Sequence, residues 1–457
     1  MSVRREDLRY GSVLHHFLRF LFPSITGMAI KAVYILSDTI FIGRSAGQSG
    51  LAAINIIIPY FAIMYAIAMM IGIGGASLMA IYYGQKKYAQ GEVIFRQAVM
   101  ATGVIMLAVT LLTLINLDSL CRLLGASEQL LPLCRDYLGI LTLFSAPYAL
   151  GWAISGFVRN DGDPDRVMYA MVTGALMNIV LDWLFLFYFQ WGMKGAALAT
   201  GLSQLIMLGI LLTHFLLPQN TLHFNVQKPD FSIWLRVFRN GLPTFMMETS
   251  TGAMVFVANL VMFGLGGELF VSAYAIAINT NWLVVLLIYG ITQAIQPLIS
   301  FFHGSRQYGR ICSALHLGAG VTVTVCGIVS AIVLLFSAPI AAVFVISPSE
   351  SLIKTGSLAL IMYAVVFIPM GINLVTQTLY QSVAMAKAST WISVLRSLVI
   401  PVAGMTLLPV VFGKESVWWT PLFAEGITLI LSLSLLSRYM RFLHETESQN
   451  QGESLKV

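Results

Sequence analysis

The sequence predicts an all-α integral membrane protein of twelve transmembrane helices, arranged as two pseudo-symmetric six-helix lobes. Three observations predict it. The 457 residues are 58% hydrophobic and only 10% charged, with a mean hydropathy of +0.83, whereas soluble domains carry about 25% charged residues. Apolar segments of roughly 20 residues or more, the length that crosses about 30 Å of hydrocarbon, recur twelve times. The second half of the chain also repeats motifs of the first.

The spans fall near 14–42, 51–83, 93–117, 131–159, 165–189 and 195–217, then 233–263, 270–302, 311–337, 351–383, 389–411 and 421–442. Ahead of the first, "MSVRREDLRYGSVLHHFLRF" is charged and leads into an apolar run with no small-residue cleavage site, so the first span reads as retained. Connections are short except between the sixth and seventh spans. The expected organisation is therefore an N-terminal lobe over 1–217, a cytoplasmic linker over 218–232, and a C-terminal lobe over 233–457 with a short cytoplasmic tail. Cys121, Cys134, Cys312 and Cys326 lie in or beside apolar segments without metal-ligand spacing and read as small hydrophobes. No metal site or cofactor is expected.

Orientation follows from the basic residues. The connections on the side of the N-terminus carry nineteen Lys and Arg, against six on the other side: Arg44, Arg122, Arg135, Lys194, Lys354 and Lys414. By the positive-inside rule both termini are cytoplasmic, and the expected location is the inner (plasma) membrane. The net charge of +6 is then a matter of topology and calls for no nucleic-acid partner.

The repeat is visible in "FLFPS" at Pro23 against "NGLPT" at Pro243, and in "YYGQKKYAQ" at Gly84 against "FFHGSRQYGR" at Gly304, a spacing of 220. "YLGILTLFSAP" ending at Pro147 similarly answers "MYAVVFIP" ending at Pro369. Six spans per repeat is even, so both halves enter the membrane in the same sense, related by an axis along the membrane normal. Two such bundles suit a transporter that rocks around a central cavity. Pro23, Pro147, Pro243, Pro297 and Pro369 fall inside spans, where each frees a carbonyl and permits a kink.

Ionisable residues within spans are few: Lys31, Asp38, Asp182 and Glu248, with Glu425 near the start of the last span. Intramembrane charge is costly, so each is a candidate site. Asp38 and Asp182 sit on outward-running spans at depths that can coincide. One turn inward on the same faces lie Tyr34 and Asn178. Two carboxylates brought together in a low-dielectric pocket cannot both stay ionised cheaply, so at least one takes up a proton. That is the physical basis for a proton-coupled switch. Lys31, two turns inward of Asp38 on the same face, is either a structural counter-ion to one carboxylate or a participant. Glu248 is either a second proton or cation site or a residue buried against Thr249, Ser250 or Gln293. Glu425 reads as a solvated helix end.

The stretches "YILSDTIFIGR" (Tyr34 to Arg44), "FVRNDGDPDRVMYAMVTGALMNIVLDWLFLF" (Phe157 to Phe187) and "WGMKGAALATGLSQ" (Trp191 to Gln204) resemble the multidrug and toxic compound extrusion (MATE) family, and within it the DNA-damage-inducible F type branch. The resemblance implies a secondary active multidrug exporter with a V-shaped cavity, driven by inward proton or sodium flow. Its cation site would fall on Asp38, Asn178 and Asp182, with Tyr34 and Thr200 in the hydrogen-bonding surround; bound sodium would sit on Asp38, Asn178 and Asp182. Glu248 resembles an acidic position of the seventh span in some members, whereas Lys31 stands where an uncharged polar residue is expected. The implied cargo is small, amphiphilic and cationic, and the implied state a monomer in contact with membrane lipids.

Two other functions compete. A lipid or lipid-linked precursor flippase would also use two similar lobes but tends toward a more cationic central cavity, and here Lys31 is the only basic residue that the sequence places well inside a span. A membrane enzyme is disfavoured because His15, His16 and His303 stand at cytoplasmic ends without partners at nucleophilic or metal-ligand spacing.

Overall fold

A computed structural model describes residues 8–218, 220–225, 227–344 and 349–454. Arg4, Arg5 and Lys456, counted above in the charge bias, lie outside them. The described residues are helical with short turns and contain no strand. Helix α1 runs Val13–Gly84, α2 Tyr88–Ile115, the short α3 Leu117–Leu123, α4 Leu131–Leu143, α5 Ser145–Asn160, α6 Pro164–Trp183 and α7 Gly192–Leu212. The second half follows with α8 Phe231–Gly304, α9 Tyr308–Leu335, the short α10 Ser337–Val343, α11 Glu350–Ser382, α12 Ala386–Val394, α13 Ile400–Phe412 and α14 Thr420–Ser454.

Helices α1 and α8, of 72 and 74 residues, would each extend about 110 Å if straight, over three times the hydrocarbon thickness. Each is two crossings joined at one non-helical residue, Gly47 (φ 63°, ψ −157°) and Gly267 (φ 62°, ψ −150°). This backbone region is open essentially to glycine alone, and the two glycines stand one repeat apart. The left-handed residues Lys86 (φ 61°) and Arg306 (φ 58°) after these helices repeat the pattern. Helices α4 and α5 form one crossing bent by 53°. Pro147 explains the bend, since it has no N–H to offer the Leu143 carbonyl four residues earlier. Around Pro23 and Pro59 the backbone stays helical, and only Gly47 departs from it. With α1 and α8 counted twice, the bent pair once, and α12 joined to α13 through the π-helical turn Leu395–Val399, the twelve crossings expected from the sequence are present.

Packing joins the halves most extensively toward one end. One apolar cluster draws mainly on the first half (Met28, Tyr65, Trp152, Met171, Met207) and two on the second. A further cluster joins Phe17, Tyr83 and Phe157 to Phe302, Leu379 and Tyr439. It lies at the face where the described chain begins and ends. Here α1 and α8 cross so closely that a methyl group on Gly84 would clash with the Phe301 carbonyl, and one on Gly304 with that of Ile81. Polar bonds between the halves gather at the same face. Gln296 accepts from Asn160 Nδ2 (3.0 Å) and donates to Ser77 Oγ (3.1 Å), Asn240 donates to the Gly74 carbonyl (3.0 Å), and Arg236 to the Tyr82 hydroxyl (2.9 Å). The cleft between the halves is sealed at this terminal face.

A second polar cluster pins the α5–α6 turn. His214, 1% exposed, sets Nε2 against Asp161 (2.9 Å) and Nδ1 against Asp163 (3.0 Å). With carboxylates on both nitrogens the ring is suited to its doubly protonated form. Asp163 also caps α6 through the Arg166 amide and pairs with the Arg166 side chain. Burial pushes the Asp163 carboxyl up, but the bonds from His214 and Arg166 outweigh it and hold this group below the usual aspartate range.

Candidate functional site

Asp182 is the penultimate residue of α6, where the helix widens into the π-helical turn Leu184–Tyr188. Such turns recur at functional positions. Asn178 and Asp182 are fully buried (0% exposed). Asp38, in the first crossing of α1, brings its carboxyl within hydrogen-bond reach of Asp182. Both Asp182 oxygens, both polar atoms of Asn178, Asp38 Oδ1 and Thr200 Oγ1 are shut off from solvent with no donor or acceptor supplied by the protein. Two carboxylates have no proton to share; a single proton added between them turns the repulsion into a hydrogen bond. A small cation would meet the same oxygens. The arrangement is a buried acceptor set whose charge is completed by something that arrives.

Tyr34 and Tyr137 stand beside this pair, and Tyr137 is also close to Thr200. The five residues named from the sequence are thus brought together. Two of them, Tyr34 and Thr200, line a cavity of about 150 Å³ together with Phe61, Tyr137 and Tyr148. Tyr137 and Tyr148 escaped the sequence reading because tyrosines are common in spans and neither stands at helical spacing from a charge on its own helix.

Lys31 takes neither of the places open to it beside Asp38. Its ammonium lies 4.1 Å from the Tyr65 ring centre and 4.5 Å from that of Trp152, and the carboxylate it attracts is Glu248 of the other half. Seven residues of helix put about 10 Å between the backbones of Lys31 and Asp38. Long helical side chains also lean toward the N-terminus, so the lysine points away from the aspartate. Glu248 is buried at 8% exposure and is not bonded to Thr249, whose hydroxyl donates to the Phe245 carbonyl (2.8 Å). Glu248 lines a cavity of about 50 Å³ between the halves with Arg159, Thr244, Tyr289, Gln293 and Gln296.

Glu425 corrects the expectation of a solvated helix end. It is 8% exposed, pairs with Arg396 Nε (2.9 Å) and accepts from Asn373 Nδ2 (2.7 Å). With Arg396, Met247, Trp282, Tyr289 and Tyr363 it lines a cavity of about 140 Å³ in the second half. Arg396 and Arg159 had been counted among the basic residues of the terminal face. The structure buries both, Arg159 to 5% exposure and the Arg396 side chain to 9%, so Lys31 is not the only basic group inside. Both residues fall within the spans read from hydropathy, 131–159 and 389–411, and each lines a cavity instead of reaching out to water. Among the described residues no group of three or more His, Cys, Asp and Glu is placed to hold a metal ion.

A family model described as MatE matches this chain twice, over residues 23–184 and again over 243–405. The chain belongs to the MatE family. The paired matches are offset by the spacing of the internal repeat. Across 442 residues the MatE chain is 24% identical to the multidrug export protein MepA of Staphylococcus saprophyticus, covering 95% of this chain and 96% of the relative. It is 25% identical to the MepA of Staphylococcus haemolyticus over the same extent. Among solved structures it is similar to the outward-facing conformation of a multidrug resistance MATE family transporter of the MOP superfamily, with a TM-score of 0.90 at 23% identity over 97% of this chain and 100% of that one. It is also similar to a MOP superfamily transporter from Pyrococcus furiosus, described as having a binding pocket of reverse polarity, with a TM-score of 0.89 at 23% identity over 97% and 99% of the two chains. These two likenesses show the MatE fold.

Proposed function

We propose that this MatE protein is a secondary active exporter of small amphiphilic organic molecules, driven by inward cation flow, with the proton as coupling ion ahead of sodium. The observation that carries the reading is the Asp38–Asp182 pair, with Asp182 fully buried and Asn178 and Thr200 beside it, a set of enclosed polar atoms without a protein partner that a proton or small cation would satisfy. Membership of the MatE family and the multidrug export names of the MepA relatives support organic cargo, and the quoted motifs favour the DNA-damage-inducible F type branch. The terminal face is read as cytoplasmic, the membrane as the inner membrane, the two halves as separate six-helix lobes and the working unit as a monomer.

In the cycle, a proton from outside loads the pair, Asn178 and Thr200 reorient to the neutral form, and the first span shifts against α6. The adjoining cavity shrinks and cargo leaves. Proton and cargo must favour different states, since a ligand that binds both states equally couples to neither. Glu248 is a second acidic site facing the cleft, and Lys31 modulates it.

Efflux from proteoliposomes under an imposed pH gradient, then an imposed sodium gradient, tests the reading. Asp38→Asn and Asp182→Asn should each abolish accumulation driven by pH. Retention of pH-driven efflux in both variants overturns it. Because Arg159 and Arg396 join Lys31 inside, a flippase of lipid-linked precursors is the second reading, and headgroup translocation measured beside dye efflux separates the two.

A further inference from the structure

A cavity of about 550 Å³ at the sealed terminal face shares no lining residue with the one in the cleft. Its walls are Arg236, Arg239 and Asn240 near the start of α8, residues 384–388 where α11 turns into α12, and Leu78 of the first half. This volume is that of a ligand pocket, not of a gap holding one or two waters. Three cationic side chains, Arg236, Arg239 and Lys387, border it, and none of its described lining residues is acidic. Arg236 donates to the Tyr82 hydroxyl (2.9 Å), whereas Arg239 and Lys387 make no hydrogen bond or ion pair with a described residue. Like charges gathered around one opening repel each other, and all three favour an anion that enters. The backbone adds to them. Helix α12 begins at Ala386 with no side-chain cap, so the first-turn amides of Ala386, Lys387 and Ala388, all in the cavity wall, are donors to spare of the kind that takes a phosphate.

Two further features decide what carries that phosphate. Asn240 is 3% exposed; its Nδ2 donates to the Gly74 carbonyl (3.0 Å), but its Oδ1 is enclosed with no donor. A spare acceptor in a wall otherwise made of donors calls for a hydroxyl on the ligand. Met385, in the same wall, is exposed, and so is Trp391, one turn on from Lys387; aromatic residues of this kind sit at headgroup level, beside acyl chains. We propose that this cavity binds the headgroup of an anionic, hydroxyl-bearing phospholipid of the phosphatidylglycerol type. Arg239, Lys387 and the start of α12 hold the phosphate, and the headgroup hydroxyl donates to Asn240. Because Arg236 and Asn240 also reach Tyr82 and Gly74 of the first half, the bound lipid braces the sealed face.

The test uses the full-length protein in detergent micelles supplied with lipids of matched acyl chains, reading retained lipid by native mass spectrometry and the thermal unfolding midpoint. Phosphatidylglycerol should be held at least about tenfold more tightly than phosphatidylcholine and should raise the midpoint. Phosphatidylmethanol, of equal charge but without a hydroxyl, should fall between the two. Arg239→Gln combined with Lys387→Gln should abolish the preference and leave the lipid-free midpoint unchanged, since neither side chain holds another part of the described chain. Lys86→Gln combined with Lys87→Gln, exposed and outside the cavity, should behave as wild type. Equal retention of phosphatidylglycerol and either other lipid overturns the site. So does an equal loss of preference in the Lys86 and Lys87 variant, which would mean diffuse attraction to a basic face. A midpoint raised by inorganic phosphate or glycerol 3-phosphate as much as by the lipid would assign the cavity to a soluble phosphate and overturn the lipid site.

Discussion

The Arg396–Glu425 pair offers a quantitative test of how the second half is held together. Arg396 sits in the π-helical turn between α12 and α13, and Glu425 in α14, with side chains 9% and 10% exposed. The Nε–Oε1 distance is 2.9 Å, and Asn373 of α11 donates both to the Glu425 carboxylate (2.7 Å) and to its backbone carbonyl (3.1 Å). Three helices therefore meet at one carboxylate. Charges about 4 Å apart at an effective dielectric near 20 attract by about 4 kcal/mol, against a desolvation cost of similar size. The pair as a whole then adds little to stability, but either half alone is a stranded buried charge. Arg396→Met or Glu425→Gln should each cost about 3–5 kcal/mol. The double variant should recover most of that loss, so that the two single effects are strongly non-additive. Unfolding midpoints in detergent, followed by tryptophan fluorescence, should place both single variants clearly below the double one, which lies near wild type. Additive losses, with the double variant the least stable, would refute the claim that the two groups neutralise each other.

Three more outcomes are expected. His214→Ala should cost about 3–5 kcal/mol by leaving Asp161 and Asp163 facing each other without the cation between them, read as a lower unfolding midpoint near neutral pH. Asp163 is held below its ordinary range by His214 and Arg166, so its contribution is fully present above the unfolded value of about 3.9 and fades as the pH falls through the lower folded value; unfolding midpoints of wild type and Asp163→Asn should converge below about pH 4. Gly84→Val, at the crossing of α1 and α8, should force the terminal face apart, seen as faster labelling of an Asn160→Cys reporter by a membrane-impermeant thiol reagent applied from that face.

Much of the architecture was legible because its cause is local. A stretch of about 20 apolar residues has few alternatives to crossing a bilayer as a helix, and the 220-residue spacing of Gly84 and Gly304 announced a repeat that Gly47 and Gly267 reproduce in backbone angles. The closeness of Asp38 and Asp182 was expected from the rise per residue along two helices read as running in the same sense. Which neighbour each charge would find did not follow. Lys31 shares a helix face with Asp38 yet answers Glu248, and Glu425 finds Arg396 and Asn373 at separations of 29 and 52 residues. Those partners depend on how twelve helices pack and rotate, which hydropathy does not encode. Arg159 shows the limit most clearly. By composition it belongs with the charges that anchor a helix end in water, and only the approach of α8 across the cleft closes over it and makes it part of a buried cavity wall.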